Sequence, residues 1–227
     1  MNRRLDVTSS WIVSVGRLGR GLTARYTLRR RPEQTLVLYE FEACPFCRRV
    51  REYVSELDLD VMIRPCPKGG GYRAEVERLG GKQQFPFLVD PNTGRSMYES
   101  TDIIRYLADT YGDGRVPVSL GVPGIAGSGA LSQLRGGARA RKARQPAQPL
   151  VLYSFEASPY CRIARERLCE LGLAYHLINV AKKSAQRAAF VEKSGQMRVP
   201  YLIDPNTGVQ MFESAEIVAY LDRTYAT

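Results

Sequence analysis

The residues of this sequence best suited to chemistry are Cys44 and Cys47, in the segment Cys-Pro-Phe-Cys. A helix opening at Pro45 makes Cys44 its N-cap, where free backbone N–H groups and the positive end of the helix dipole stabilise a thiolate. Arg48 and Arg49 add positive charge about one turn further on. Cys47 falls on the same helical face, within reach of a mixed disulfide formed at Cys44, so the pair suits thiol–disulfide exchange. A zinc half-site and a pair of buried thiols are the competing readings. Neither a second Cys pair nor a histidine partner accompanies the motif, which favours redox chemistry. His176 is the only histidine, so His/His and Ser/His/Asp constellations and repeated Cys/His zinc ligands are disfavoured.

The motif sits in a duplicated chain. LVLYEFEACPFCRRVRE from Leu36 aligns with LVLYSFEASPYCRIARE from Leu150, and FPFLVDPNTGRSMYES from Phe85 with VPYLIDPNTGVQMFES from Val199, both at an offset of 114. Laying 36–111 over 150–225 without a gap gives about 34 identities in 76 positions, which chance does not explain. The organisation read from this is a basic arm over 1–34, a first domain over 35–112, a flexible basic linker over 113–148 and a second domain over 149–227. The linker, rich in Gly, Pro, Ala, Ser and Arg, is expected to tether the copies without fixing their orientation.

Within each copy the apolar period alternates between two and 3.6. Leu36–Tyr39 and Leu150–Tyr153 read as buried strands; Val50, Tyr53, Val54 and Leu57, like Ile163, Ala164, Leu168 and Leu171, have helical spacing. Second strands are expected at 59–64 and 173–179, second helices at 72–79 and 184–193, and third strands at Phe87–Val89 and Tyr201–Ile203. Asp-Pro-Asn-Thr-Gly makes a hairpin turn with Asn and Gly at positive φ. Fourth strands follow at Met97–Tyr98 and Met211–Phe212, then a helix carrying Ile103, Ile104 and Leu107, capped by Ser100. The expected fold is α/β, βαβαββα twice.

This element order, with Cys-Pro-Phe-Cys after the first strand and Pro86 opening the third, resembles the thioredoxin superfamily. More narrowly it resembles the glutaredoxin-like N-terminal domain of glutathione transferases, and the whole chain is similar to bacterial and plant proteins carrying two such domains in tandem. The resemblance implies two thioredoxin-like domains, with no transferase C-terminal helical domain, and glutathione as co-substrate. It also implies cis bonds at Phe85–Pro86 and Val199–Pro200, turning the backbone of Phe85 and Val199 toward an extended peptide. Glu99 and Ser100, with Glu213 and Ser214, resemble the family pair that holds the γ-glutamyl ammonium and carboxylate. The expected activity is a glutathione-dependent thiol–disulfide oxidoreductase acting on a disulfide or glutathionylated substrate through Cys44 and Cys47. The alternatives are a transferase-like conjugating or isomerising enzyme and a non-catalytic glutathione or iron–sulfur binding module, the cluster being the less favoured.

The second copy departs at Ser158, which replaces the leading Cys and leaves Cys161 at the resolving position. Ser158 reads as a plain N-cap or as a hydroxyl that hydrogen-bonds a glutathione thiolate. Cys169 reads as core or helix-surface filler, Cys66 as a plain loop thiol, with a glutathionylation site or third redox partner as the lesser reading, and His176, opposite Met62 in the alignment, as structural. No metal site is expected. Five cysteines with one C-x-x-C and no secretory signal fit a reducing, cytoplasmic setting.

The net charge of +10 is concentrated outside the repeats: residues 1–31 carry +7 and residues 115–148 carry +6, leaving the remainder mildly acidic. A nucleic-acid-binding face is therefore not expected. Trp11, Val15, Leu18, Leu22 and Tyr26 recur at helical spacing with Arg17, Arg20 and Arg25 between them. A helix there would dock on an anionic membrane surface, and its Arg-rich composition also resembles an organelle presequence; a solvated tail is the plain alternative.

Overall fold

The computed structural model describes residues 20–118 and 136–227, and the arm positions Trp11, Val15, Arg17 and Leu18 lie outside them. The first repeat runs β1 (Leu36–Glu40), α1 (Pro45–Glu56), β2 (Val61–Pro65), α2 (Tyr72–Gly80), β3 (Phe87–Asp90), β4 (Arg95–Met97) and α3 (Ser100–Thr110). The second repeats the order as β5 (Leu150–Ser154), α4 (Pro159–Glu170), β6 (Tyr175–Asn179), α5 (Arg187–Ser194), β7 (Tyr201–Asp204), β8 (Val209–Phe212) and α6 (Ser214–Tyr225). Both are thioredoxin-like.

The two copies join edge to edge in one eight-stranded sheet, ordered β4-β3-β1-β2-β6-β5-β7-β8. β2 and β6 pair antiparallel with Val61 opposite Leu177, Met62 opposite His176 and Ile63 opposite Tyr175. Met62 and His176 are each other's counterparts in the repeat, so a pseudo-twofold axis passes between them. That places His176 in the seam between domains, where burial lowers its pKa. Pairing the two β2-type edges also removes the exposed donors and acceptors each would otherwise present.

One apolar core runs under both repeats on the face covered by α1, α3, α4 and α6, from Leu36, Val50, Leu57 and Leu107 to Leu152, Leu168, Leu202 and Leu221. On the opposite face α2 and α5 close smaller clusters, Val76 with Tyr39, Cys66 and Phe87, and Phe190 with Val180 and Tyr201. The polar face of α1 is buried too: Arg48, Arg51, Glu52, Ser55 and Glu56 all pack inside. They meet the second repeat in a paired ionic lattice. Arg51 Nε donates to Glu156 Oε2 at 3.0 Å, and its counterpart Arg165 Nε donates to Glu42 Oε2 at 3.1 Å. Backbone contacts follow the same symmetry, with Glu156 N donating to Ser55 Oγ at 3.1 Å and Glu42 N to Cys169 Sγ at 3.4 Å. Cys169 is buried, as the core reading has it, and lies at the interface between the repeats; its thiol also donates to Gly137 O at 3.3 Å.

Segments that composition reads as arm and linker carry backbone hydrogen bonds. No helix forms over 20–31: Gly21 adopts φ 74°, Leu22 O accepts from Lys182 N at 2.9 Å, and Tyr26 packs on Tyr53 with ring centroids 5.2 Å apart. Residues 138–140 flank Lys68 in the same way, with Lys68 N donating to Ala138 O at 2.8 Å and Ala140 N to Lys68 O at 2.9 Å. The described end of the linker is thus docked on the first domain.

The identical Asp-Pro-Asn-Thr-Gly turns are structural. Asp90 Oδ1 accepts from the backbone and side-chain nitrogens of Asn92, and Oδ2 accepts from the hydroxyls of Tyr106 and Tyr111; Asp204 repeats this with Asn206, Tyr220 and Tyr225. Gly94 and Gly208 take the positive φ, while Asn92 uses its side chain instead to bond Gln34. Although burial opposes ionisation of Asp90, the hydrogen bonds from Tyr106, Tyr111 and Asn92 outweigh it and depress its pKa. Its stabilisation is therefore complete above the unfolded value of 3.8 and is lost as pH falls through the lower folded value. Asp90→Ala should cost about 2–4 kcal/mol in urea unfolding at pH 7, because two buried hydroxyls lose their acceptor, and less at pH 3.

Candidate functional site

All the residues singled out in the first repeat lie along one edge of the sheet. β1 and β2 are parallel and end there at Glu40 and Pro65, and the antiparallel β3 begins there, with Phe87 opposite Tyr39. β4 ends there beside Leu88, leading directly into Glu99 and Ser100. Crossing that edge in strand order brings Glu99 and Ser100 first, then Phe85 and Pro86, then Cys44, then the loop from Cys66 to Lys68.

Cys44 is the N-cap of α1 and its sulfur accepts from Cys47 N at 3.2 Å. The thiol of Cys47 donates to the same sulfur, and together with N–H groups of Cys47 and Phe46 this outweighs burial and the nearby Glu40 to hold Cys44 below the ordinary thiol range. Burial and the neighbouring Cys44 push Cys47 well above it. Cys44 retains 4% exposure, whereas Cys47, Cys66 and Cys161 have none. All five cysteines are free.

Two sequence expectations change here. Arg48 and Arg49 do not supply the positive charge beside the thiol. Arg48 turns into the interface, toward Glu52 at 3.1 Å and Glu156 at 3.7 Å, and Arg49 reaches α3, donating to Ser100 Oγ at 3.3 Å. Cys66 is not an open loop thiol: it is fully buried, its sulfur lies 3.5 Å from Arg64 O, and burial pushes its pKa up.

The peptide bonds at Phe85–Pro86 and Val199–Pro200 are cis. Phe85 packs edge-on against Phe41 with centroids 6.0 Å apart, and the Arg73 guanidinium lies 4.7 Å above the Phe85 ring. Arg73 also donates to the carbonyls of Cys66 and Pro67, at 3.1 and 2.9 Å, joining this wall to the loop after β2. The N-cap of α3 is Glu99, at φ 65°, and not Ser100, which is the first helical residue; Glu213 repeats this at φ 67°. Left-handed backbone at a non-glycine residue is uncommon and concentrates at binding sites. Gln84 donates to Glu99, whereas its counterpart Arg198 forms a 2.9 Å ion pair with Glu213. Sequence reasoning missed this pair and Arg73; the polar residue immediately before each Phe85-type position was the available signal.

In the second repeat Ser158 caps α4 as Cys44 caps α1, its Oγ accepting from Cys161 N at 3.2 Å. Val199 and Pro200, Glu213 and Ser214 occupy the positions of their counterparts, but Ile163 stands where Arg49 reaches α3. Among the described residues no group of three or more His, Cys, Asp or Glu side chains could hold a metal ion, and no helix is long and apolar enough to cross a membrane.

Glu40 breaks the symmetry beside the thiols, since its counterpart is Ser154. With Glu42 and Glu156 it gives three buried carboxylates facing the two central guanidiniums, Arg51 and Arg165. Burial opposes ionisation of Glu156, but Arg165, Arg51 and Arg48 outweigh it and hold that carboxyl down at about 2. For Glu40, burial prevails over Arg51 and raises it to about 7. Ionising Glu40 therefore costs stability as pH rises from 4.5 through about 7. Glu40→Gln should flatten the stability profile over that window and lower the pH midpoint for alkylation of Cys44 by iodoacetamide, because Glu40 charge opposes the thiolate.

Two thioredoxin-like halves, each with a Cys or Ser N-cap after the first strand, a cis-Pro and a Glu-Ser helix start, define the class. A family model described as glutathione S-transferase, N-terminal domain matches residues 38–115 and again 152–227, and the chain belongs to that family. No curated protein matches. Among solved structures, the chain is similar to a glutathione transferase of Bombyx mori at 27% identity and a TM-score of 0.34, over 37% of this chain and 38% of that one. It is also similar to a trimeric glutathione transferase of Leishmania at 16% identity and a TM-score of 0.31, over 86% of this chain and 67% of that one. The match therefore spans little more than a third of the Bombyx chain.

Proposed function

We propose that the chain is a glutathione-dependent thiol–disulfide oxidoreductase whose dithiol is Cys44 and Cys47. The observation that carries this is the division of character between the two sulfurs: Cys44, at the helix N-cap, is lowered in pKa and keeps 4% exposure, while Cys47 is raised and fully enclosed. The Cys44 thiolate attacks one sulfur of a substrate disulfide, forming a mixed disulfide and expelling the other sulfur as a thiolate. Cys47 then gives its proton to a leaving thiolate and attacks Cys44, closing an intramolecular disulfide. Two molecules of glutathione return the pair to dithiols and leave as oxidised glutathione. Phe85, Pro86, Glu99 and Ser100 orient the tripeptide, and five free cysteines fit the reducing cytoplasm.

Intact mass after brief exposure to oxidised glutathione and acid quench tests the reading. Wild type should close a disulfide and Cys47→Ser should keep one glutathione adduct, on Cys44. An unmodified wild type sinks it. A second reading, a transferase or isomerase using glutathione held at Ser158, is favoured by the way Ser158 reproduces the Cys44 cap. Conjugation of an electrophile that survives Cys44→Ser and fails in Ser158→Ala would select it.

A further inference from the structure

The docked arms cross between repeats. The segment preceding the first repeat lies on the second: Thr23 bridges Lys182, and Ala157 N, next to Ser158, lies 3.4 Å from Gly21 O. The segment preceding the second repeat lies on the first, where Arg139 bridges Lys68 in the loop after β2. The two crossings obey the same pseudo-twofold axis, down to Arg25 N donating to Glu56 O and Arg141 N donating to Glu170 O.

Residues paired across a bridge project their side chains to one face, with backbones about 4.8 Å apart. Lys68 and Arg139 are thus held side by side. Both are exposed, and neither has an ion-pair partner among the described residues. Two like charges so placed repel, and an anion between them recovers that cost. The pair sits at the far end of the strand-order path from Glu99 and Ser100, three strand spacings or about 14 Å away. That is the reach of an extended γ-linked tripeptide, whose first residue adds backbone bonds to the usual ~3.5 Å per residue. A peptide with its γ-glutamyl end at Glu99 and Ser100 and its sulfur at Cys44 therefore brings its last carboxylate to Lys68. Arg73 links the two regions, lying on Phe85 and holding the carbonyls of Cys66 and Pro67.

We propose that the first site is completed by the segment that begins the second repeat, with Arg139 acting beside Lys68 as the cationic clamp for the C-terminal carboxylate of the ligand. This rests on the glutathione reading and adds a residue outside the domain that carries the thiols. At the second site the equivalent position is Thr23, so that site has one cation where the first has two.

The test is the KM for glutathione and for glutathione monoethyl ester, whose glycyl carboxylate is uncharged, in full-length wild type, Arg139→Ala and Arg139→Lys. The bridge is made by backbone atoms, so the variants keep it. Wild type should prefer the free acid, and Arg139→Ala should raise the KM for glutathione by roughly three- to tenfold at low salt while leaving kcat and the ester unchanged. Arg139→Lys should restore most of the preference. If wild type uses both compounds and Arg139→Ala keeps the same preference, the assignment of Arg139 is overturned and the glutathione reading stands. If wild type uses neither, the glutathione reading fails and the clamp fails with it.

Discussion

Cys44→Ser is expected to lower glutathione-dependent disulfide reduction by at least about 10³, the scale on which enzymes lose rate when their nucleophile is removed. The fold should be unaffected, because a serine hydroxyl at this N-cap accepts from the backbone as the sulfur does; the second repeat already shows it, with Ser158 Oγ on Cys161 N at 3.2 Å. Cys47→Ser should behave differently. It keeps the attacking sulfur and a side-chain donor toward Cys44, since its hydroxyl replaces the thiol, whereas Cys47→Ala removes that donor. Activity toward glutathionylated substrates should persist in both variants through a second glutathione, whereas reduction of a protein disulfide should fall, and in Cys47→Ala the pH midpoint for Cys44 alkylation should rise. Steady-state rates with both substrate types and alkylation rates between pH 5 and 9 separate these outcomes. Equal loss in Cys44→Ser and Cys47→Ser toward a glutathionylated substrate would count against the assigned division of labour.

The other large effect concerns the seam. Arg51→Ala leaves Glu40, Glu42 and Glu156 facing a single central guanidinium in a space from which water is excluded, and should cost about 3–5 kcal/mol. The same change at Arg165 takes one guanidinium from Glu42 and Glu156, which keep Arg51, and should cost less. The combined Arg51→Ala/Glu156→Ala variant should lose less than the sum of its parts, since each single change strands the partner's charge. Urea unfolding followed by circular dichroism reads these differences as shifts in midpoint. Additive losses would mean that the carboxylates and guanidiniums act independently despite their contacts.

Much of this architecture was legible because apolar periodicity reports the core directly. Val50, Tyr53, Val54 and Leu57 identified the inner face of α1, and the Cys-Pro start of that helix placed Cys44 at the cap. The opposite face was illegible for the same reason. Arg48, Arg51, Glu52 and Ser55 have the pattern of a solvated surface, and charge alone does not show whether its partner is water or another carboxylate. The cap of α3 was misplaced by one residue because Glu99 adopts a positive φ that its residue type does not advertise. The crossing arms escaped notice because Gly-x-x-Ala-Arg occurs at 21–25 and 137–141, an offset of 116, two residues out of step with the repeat. A search allowing one gap would have extended each repeat to include its arm. Arg49 and Arg73 were visible as charges, but their destinations depend on neighbours brought together by the sheet.

The seam between β2 and β6 has the form of a twofold subunit contact inside one polypeptide. In an association of separate chains, such a contact dissociates on dilution, and any substitution appears on both sides at once. Joining the halves holds the second at an effective concentration near the millimolar range whatever the amount of protein present. It also frees each half to change alone. Ser158 against Cys44, Ser154 against Glu40 and Thr23 against Arg139 are differences that identical subunits could not have held, and all three fall at or beside the two sites. Covalent linkage thus lets one half keep Cys44 at its helix cap while the other contributes structure, charge and a serine at the matching cap.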